Sequence, residues 1–100
     1  MELDQTIPSK KQILAKVASE FDVSEEVLLH GKSRIQGIAE SRQIYCFLCY
    51  KLTSFSMSEI GASINRSHST VSHSVDKIAF LSDHDKALAS RIDKLIDELE

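Results

Sequence analysis

The sequence predicts an all-α fold, a compact domain of five to six helices that contains a helix-turn-helix. Three observations carry this prediction. Apolar residues recur at intervals of three and four along most of the chain, which is the period of a helix face. No segment shows the period-two alternation that a half-buried strand requires. The 100 residues include one Pro and three Gly, too few breakers for a loop-rich or disordered chain. This length makes one small domain, spanning 1–100, without room for a second core.

Each element follows from a local signal. In "PSKKQILAKVASEF", Pro8 stands near a first-turn position, and Ile13, Leu14, Val17, Ala18 and Phe21 form one apolar stripe. Ser24 can cap a short helix through Val27, Leu28 and Leu29, which Gly31 ends. "GKSRIQG" (31–37) reads as a loop. From about Ala39 to Leu52, "AESRQIYCFLCYKL" reads as a central buried helix around Ile44, Phe47 and Leu48. Ser56 or Ser58 opens a short helix through Ile60 and Ile64. "NRSHSTVSHS" (65–74) opens the next, which continues through Val71, Val75, Ile78 and Leu81. Asp83 or Asp85 starts the last helix, with Leu88, Ile92, Leu95, Ile96 and Leu99 on its apolar face. That face packs on the domain's own core or meets a partner.

Several function classes drop out. The run "IYCFLCY" is far too short to span a membrane. "MELDQTIPSKK" has no apolar signal core, which gives a cytoplasmic expectation. Cys46 and Cys49 form a C-x-x-C, but no second ligand pair exists for a structural zinc, and their apolar surroundings suit buried core thiols. "GKS" at 31–33 lacks the upstream Gly of a phosphate-binding loop, since Glu26 stands there, and it follows helical sequence. Ser69, His68 and Asp76 make no nucleophile set, because neighbouring helical residues point in different directions and no Gly-rich turn presents one. No enzyme signal, metal site or cofactor site is found.

The net charge of −3 speaks against nucleic acid, but its distribution does not. Residues 31–78 carry six basic and three acidic side chains, hence +3, and the rest carries six and twelve, hence −6. A basic middle between acidic ends is either a binding face or an uneven solvated surface.

The stretch "SMSEIGASINRSHSTVSHSV" (56–75) sets two apolar stripes apart by a short polar break, the layout of a helix-turn-helix. Gly61 falls where the first helix passes close to the second, and Asn65 falls at the turn, where Asn tolerates a left-handed backbone. Ser67 is a good N-cap for the second helix. A recognition helix turns its N-terminal residues toward base edges in the major groove. Side chains there must be short and able to donate and accept, as Ser and Thr are. His68 adds a donor, an acceptor and a flat face. Arg66 and Lys77 bracket the helix and suit phosphates. His73 is either a half-buried packing residue or a phosphate contact. The competing reading is a helical bundle whose Ser-rich turn is only a cap.

Residues 41–78 resemble the C-terminal DNA-binding domain of the bacterial replication initiator DnaA. The matching residues are Arg42-Gln43-Ile44, Leu52-Thr53, Ser56, Glu59-Ile60-Gly61, Arg66-Ser67-His68-Ser69-Thr70-Val71 and Lys77-Ile78. A weaker likeness extends over 17–34. The resemblance implies a helical domain of the Trp-repressor type that binds short asymmetric sites in double-stranded DNA. It implies base contacts from His68, Ser69 and Thr70, to which the polar helix start adds Ser67. It implies backbone contacts from Arg42, Gln43, Arg66 and Lys77 and a basic loop residue in the minor groove; the expected backbone set further includes Lys32, Arg34 and His73, and the expected minor-groove loop holds Arg34 and Gln36. Three departures stand out. The family's Asp before the His is Ser67 here, its basic minor-groove position falls on Gln36, and the turn before Arg66 is a residue shorter than in many members. The 100 residues hold no ATPase domain, so no nucleotide is expected on this chain. It is an excised domain or a free-standing relative, and the Met1 start with a plausible N-terminal helix favours the latter. The rival function is a protein-interaction domain, with an unknown partner, that kept the fold and lost specific DNA binding.

Overall fold

A computed structural model describes residues 8–30 and 36–99; of His30 and Gln36 it describes the backbone only. Among the described residues there are six helices and no strand: α1 Lys10–Phe21, α2 Glu25–His30, α3 Gln36–Leu52, α4 Met57–Ser63, α5 His68–His84 and α6 Lys86–Leu99. The expected all-α architecture is thus observed.

The helix ends show how the sequence sets these boundaries. Ser9 caps α1 by accepting from the Gln12 backbone N–H at 3.1 Å, and the Gln12 side chain accepts from the Ser9 N–H at 2.8 Å. Pro8 therefore precedes the cap, rather than lying in the first turn as the sequence suggested. The reciprocal Ser9–Gln12 pair satisfies two donors that a start at Pro8 would leave open. Asp22 closes α1 in a left-handed conformation, φ 54°, and its N–H reaches the Ala18 and Ser19 carbonyls. Ser24 caps α2 through the Val27 N–H, as expected.

The sequence placed the start of α3 near Ala39; it lies at Gln36, so Gln36 belongs to the helix and not to the loop before it. The periodicity carries the correction. Ile38, Ser41 and Tyr45 continue the inward stripe by one turn, and Gly37 is tolerated in that first turn. Thr53 ends α3, its Oγ1 donating to the Cys49 carbonyl and accepting from the Phe55 N–H. Of the two alternatives at each later start, Ser56 caps α4 and Asp85 caps α6. Asp85 accepts from the Ala87 and Leu88 N–H groups at 3.0 and 3.2 Å.

α3 is the axis of the domain and packs against all five other helices. Ser41, Ile44, Tyr45, Cys46, Leu48 and Cys49 are fully buried, so its apolar surface runs almost all the way round, as a central helix requires. Each fully buried Ile or Leu contributes about 1.5–3 kcal/mol relative to exposure. Cys46 and Cys49 are core thiols with no disulfide. Burial pushes their pKa values up to about 12 and about 11, the opposite of a reactive pair. Leu88, Ile92 and Leu95 of α6 turn into the same core. α6 is also tied to α1 by Lys16–Glu98 at 3.2 Å and Arg91–Glu20 at 3.2 Å, while the Arg91 guanidinium covers the Phe21 ring. The apolar face of the last helix thus packs on its own domain. Among the described residues, no helix is long and apolar enough to cross a membrane.

Candidate nucleic-acid interface

α4, the turn at 64–67 and α5 form the helix-turn-helix read from the sequence. α4 begins with a complete capping box: Ser56 Oγ accepts from the Glu59 N–H at 3.1 Å, and Glu59 accepts from the Ser56 N–H at 2.9 Å. That Ser56 N–H is the main reason the Glu59 carboxyl is held below its usual range. α4 ends where the Gly61 carbonyl takes the N–H groups of Ile64 and Arg66, the latter at 2.8 Å. Asn65 then adopts φ 56°, the left-handed conformation expected of it.

Gly61 has a steric reason. A Cβ built there would lie 2.4 Å from the Arg66 carbonyl oxygen and 3.2 Å from that of Ser67. The close neighbour is thus the backbone leading into α5. A further contact holds the motif on α3. Tyr45 of α3 and Ser63 of α4 share a 2.8 Å hydroxyl bond. The Ser63 proton is directed at the Ile60 carbonyl, so Tyr45 donates. Val71, Ser74, Val75 and Ile78 then seat α5 against the core.

With those residues inward, the opposite face of α5 is fixed outward. Ser67, His68, Ser69 and Thr70 are all exposed at its N-terminal end, and His73, Asp76 and Lys77 extend the exposed face. His73 is therefore not a half-buried packing residue. Ser67 Oγ accepts from the Thr70 N–H at 3.2 Å, and the two hydroxyls lie 3.1 Å apart. Capping thus engages Ser67, while His68 and Ser69 stand beside it in solvent. No acidic residue occurs in the first turn of α5. Its unpaired N–H groups and dipole end consequently face solvent without a nearby carboxylate of the same helix.

The expected backbone contacts divide. Lys77 is exposed and Gln43 is half-buried on α3. Arg66 donates from Nη1 to the Ile64 and Asn65 carbonyls, both at 3.1 Å, which draws its guanidinium over the turn. Arg42 reaches from α3 to the end of α2, donating to the Leu28 carbonyl at 2.8 Å and the Val27 carbonyl at 3.2 Å. This structural duty had no sequence signal, because its acceptors are backbone atoms 14 and 15 residues away. Burial lowers the Arg42 pKa, and repulsion from the Arg66 cation adds to it. Lys32 and Arg34, and with them most of the expected minor-groove loop, lie outside the described residues. Asp76 sits on the same exposed face one turn beyond His73. Among the described residues no group of three or more His, Cys, Asp or Glu side chains is placed to hold a metal.

Comparison with known proteins agrees with this geometry. Residues 10–78 match the family described as the bacterial dnaA protein helix-turn-helix. Among similar proteins is a chromosomal replication initiator protein DnaA from Cutibacterium acnes, 32% identical over 97 residues, covering 96% of this chain and 19% of the relative. Another from Lachnoclostridium phytofermentans is 35% identical over 88 residues, covering 87% and 19%. A third from Desulfotalea psychrophila is 37% identical over 84 residues, covering 84% and 17%. The chain thus spans less than a fifth of the length of these relatives.

Proposed function

The chain belongs to the bacterial DnaA helix-turn-helix family, and from that premise we propose that it binds double-stranded DNA sequence-selectively, with α5 in the major groove. The observation that carries this reading is the start of α5: four exposed short or planar polar side chains, Ser67 to Thr70, on a helix end with no acidic residue in its first turn. A phosphate or a base edge meets donors there and no repelling carboxylate of that turn.

In this proposal His68, Ser69 and Thr70 read base edges, and Ser67 contributes the second bonding capacity of a hydroxyl already used as a cap. Arg66, Lys77, His73 and Gln43 stand toward phosphates. Arg42 acts in the same direction while bracing α2, and a phosphate near Arg42 and Arg66 would relieve their mutual repulsion. Lys32, Arg34 and Gln36, read from sequence alone, take the minor-groove side. With Ser67 in place of an Asp, selectivity at the corresponding base pair is relaxed, because a hydroxyl discriminates less than a carboxylate that accepts only. By the family relation the duplex is a DnaA-type site, and replication initiation is the process in which it is bound.

Fluorescence anisotropy with a DnaA-type duplex and a scrambled duplex, across a range of salt concentrations, tests the proposal. Salt-dependent binding with a clear preference for the site is expected. Equal weak binding of both would remove selectivity, and no binding at low salt would remove DNA as the ligand.

A further inference from the structure

The exposed face of α5 continues beyond the residues assigned to DNA. Phe80 lies on it, 61% exposed. A single apolar ring in water needs no explanation by itself, but this ring has specific surroundings. His84, one turn further on, stacks on it with ring centroids 4.3 Å apart and planes inclined by 27°. The His84 Nδ1 lies 2.8 Å from the Phe80 carbonyl oxygen. A carbonyl can only accept, so Nδ1 donates. The bond places a second donor on a carbonyl close to the end of α5, and it leaves Nε2 of the neutral ring as an acceptor.

Asp76 stands four residues before Phe80 and Asp83 three residues after it, spacings that share one helix face. Both are exposed, and neither forms an ion pair among the described residues. From Asp76 to His84 the strip runs about 12 Å along the helix. It offers a flat aromatic surface, an imidazole acceptor and two carboxylates, with the Lys77 ammonium on the same face one turn before Phe80.

We propose that this strip docks an arginine-bearing segment of a protein partner. A guanidinium is planar and permanently charged, and its five donors lie in its own plane. It can therefore stack on the Phe80–His84 pair while its edge donates to Asp76 or Asp83. A lysine ammonium offers a compact charge without the stacking plane. A nucleic-acid backbone is disfavoured, since two carboxylates repel phosphates. His68 and Phe80 are separated by about 18 Å of helix, so a duplex read by His68 to Thr70 meets the strip only at its Asp76 end, where Lys77 and His73 stand toward phosphates. The proposal uses none of the residues assigned to DNA and stands whether or not the DNA reading does.

The test titrates the intact 100-residue chain against a fluorescein-labelled peptide of alternating glycine and arginine, and against its lysine twin, with anisotropy as the readout. The arginine peptide is expected to bind at least fivefold more tightly than the lysine twin. Phe80→Ala should bring it down to the lysine level, and Asp76→Asn with Asp83→Asn should weaken both peptides and flatten their salt dependence. Phe80→Ala should also leave affinity for a DnaA-type duplex within twofold. Equal binding of the two peptides, or unchanged binding by Phe80→Ala, would reduce the effect to general attraction by an acidic chain and overturn the proposal. Absence of saturable binding would overturn it too, as would a matching loss of duplex affinity, which would assign Phe80 to the DNA interface. If Phe80→Ala melts before the wild type at the assay temperature, Phe80→Leu keeps the bulk, removes the π face and gives the same discrimination.

Discussion

The two helices of the motif begin in different ways. α4 opens on Ser56 with Glu59 at the third position, and each side chain satisfies the other's backbone N–H. α5 opens on Ser67 with Thr70 at the third position, so the forward bond forms but no carboxylate reaches back. The same cap residue thus makes a self-contained helix start in α4 and an open one in α5. An acid in the first turn typically adds 0.3–1 kcal/mol through the helix dipole. α5 goes without it, and the donors and positive potential left over face solvent beside His68 and Ser69. The closed start suits a supporting helix, and the open start suits a helix that must receive an anionic ligand.

The largest test of this contrast removes the geometry that brings the two helices together. Gly61→Val places a side chain against the Arg66 carbonyl, where even a Cβ is 2.4 Å away. It should cost about 3 kcal/mol of stability, seen as a lowered midpoint in thermal unfolding. His68→Ala keeps the fold and should weaken binding to a DnaA-type duplex by about 1–3 kcal/mol, measured by anisotropy. Equal affinity would show that the open start is not the reading surface.

Thr70→Glu rebuilds at α5 the box that α4 has. Its melting midpoint should hold or rise, while duplex affinity falls about tenfold, roughly 1.4 kcal/mol. Affinity that survives would break the comparison. Ser56→Ala and Ser67→Ala should each cost about 1 kcal/mol in stability. Only Ser67→Ala should also reduce duplex affinity at a temperature where both variants are folded. The smallest effect is a pH dependence. The Glu59 carboxyl is held below the ordinary glutamate value of 4.5, so its stabilising share is present above that pH and is lost as pH falls through the lowered value. The Ser56 amide resonance should therefore shift on acidification below pH 4.5, and the Thr70 amide should not follow.

The sequence alone determined the helical class, the core stripes and the motif. Ile60, Ile64, Val71, Val75 and Ile78 carry their burial in their spacing, and Ser24, Asn65 and Ser67 carry their backbone roles in their chemistry. These are local properties, fixed within one or two turns. Boundaries that rest on competing local signals were less legible. The Ser9–Gln12 pair set the start of α1 after Pro8, and the inward stripe through Ile38 pulled α3 back to Gln36. Only the tertiary structure decided what depends on distant partners. Arg42 braces the end of α2 because the Val27 and Leu28 carbonyls arrive from elsewhere in the chain. Tyr45 and Ser63, 18 residues apart, pin the motif to α3. His73 is exposed because Val71, Ser74, Val75 and Ile78 take the inner face of α5. Periodicity tells which residues share a face, and packing decides what that face meets.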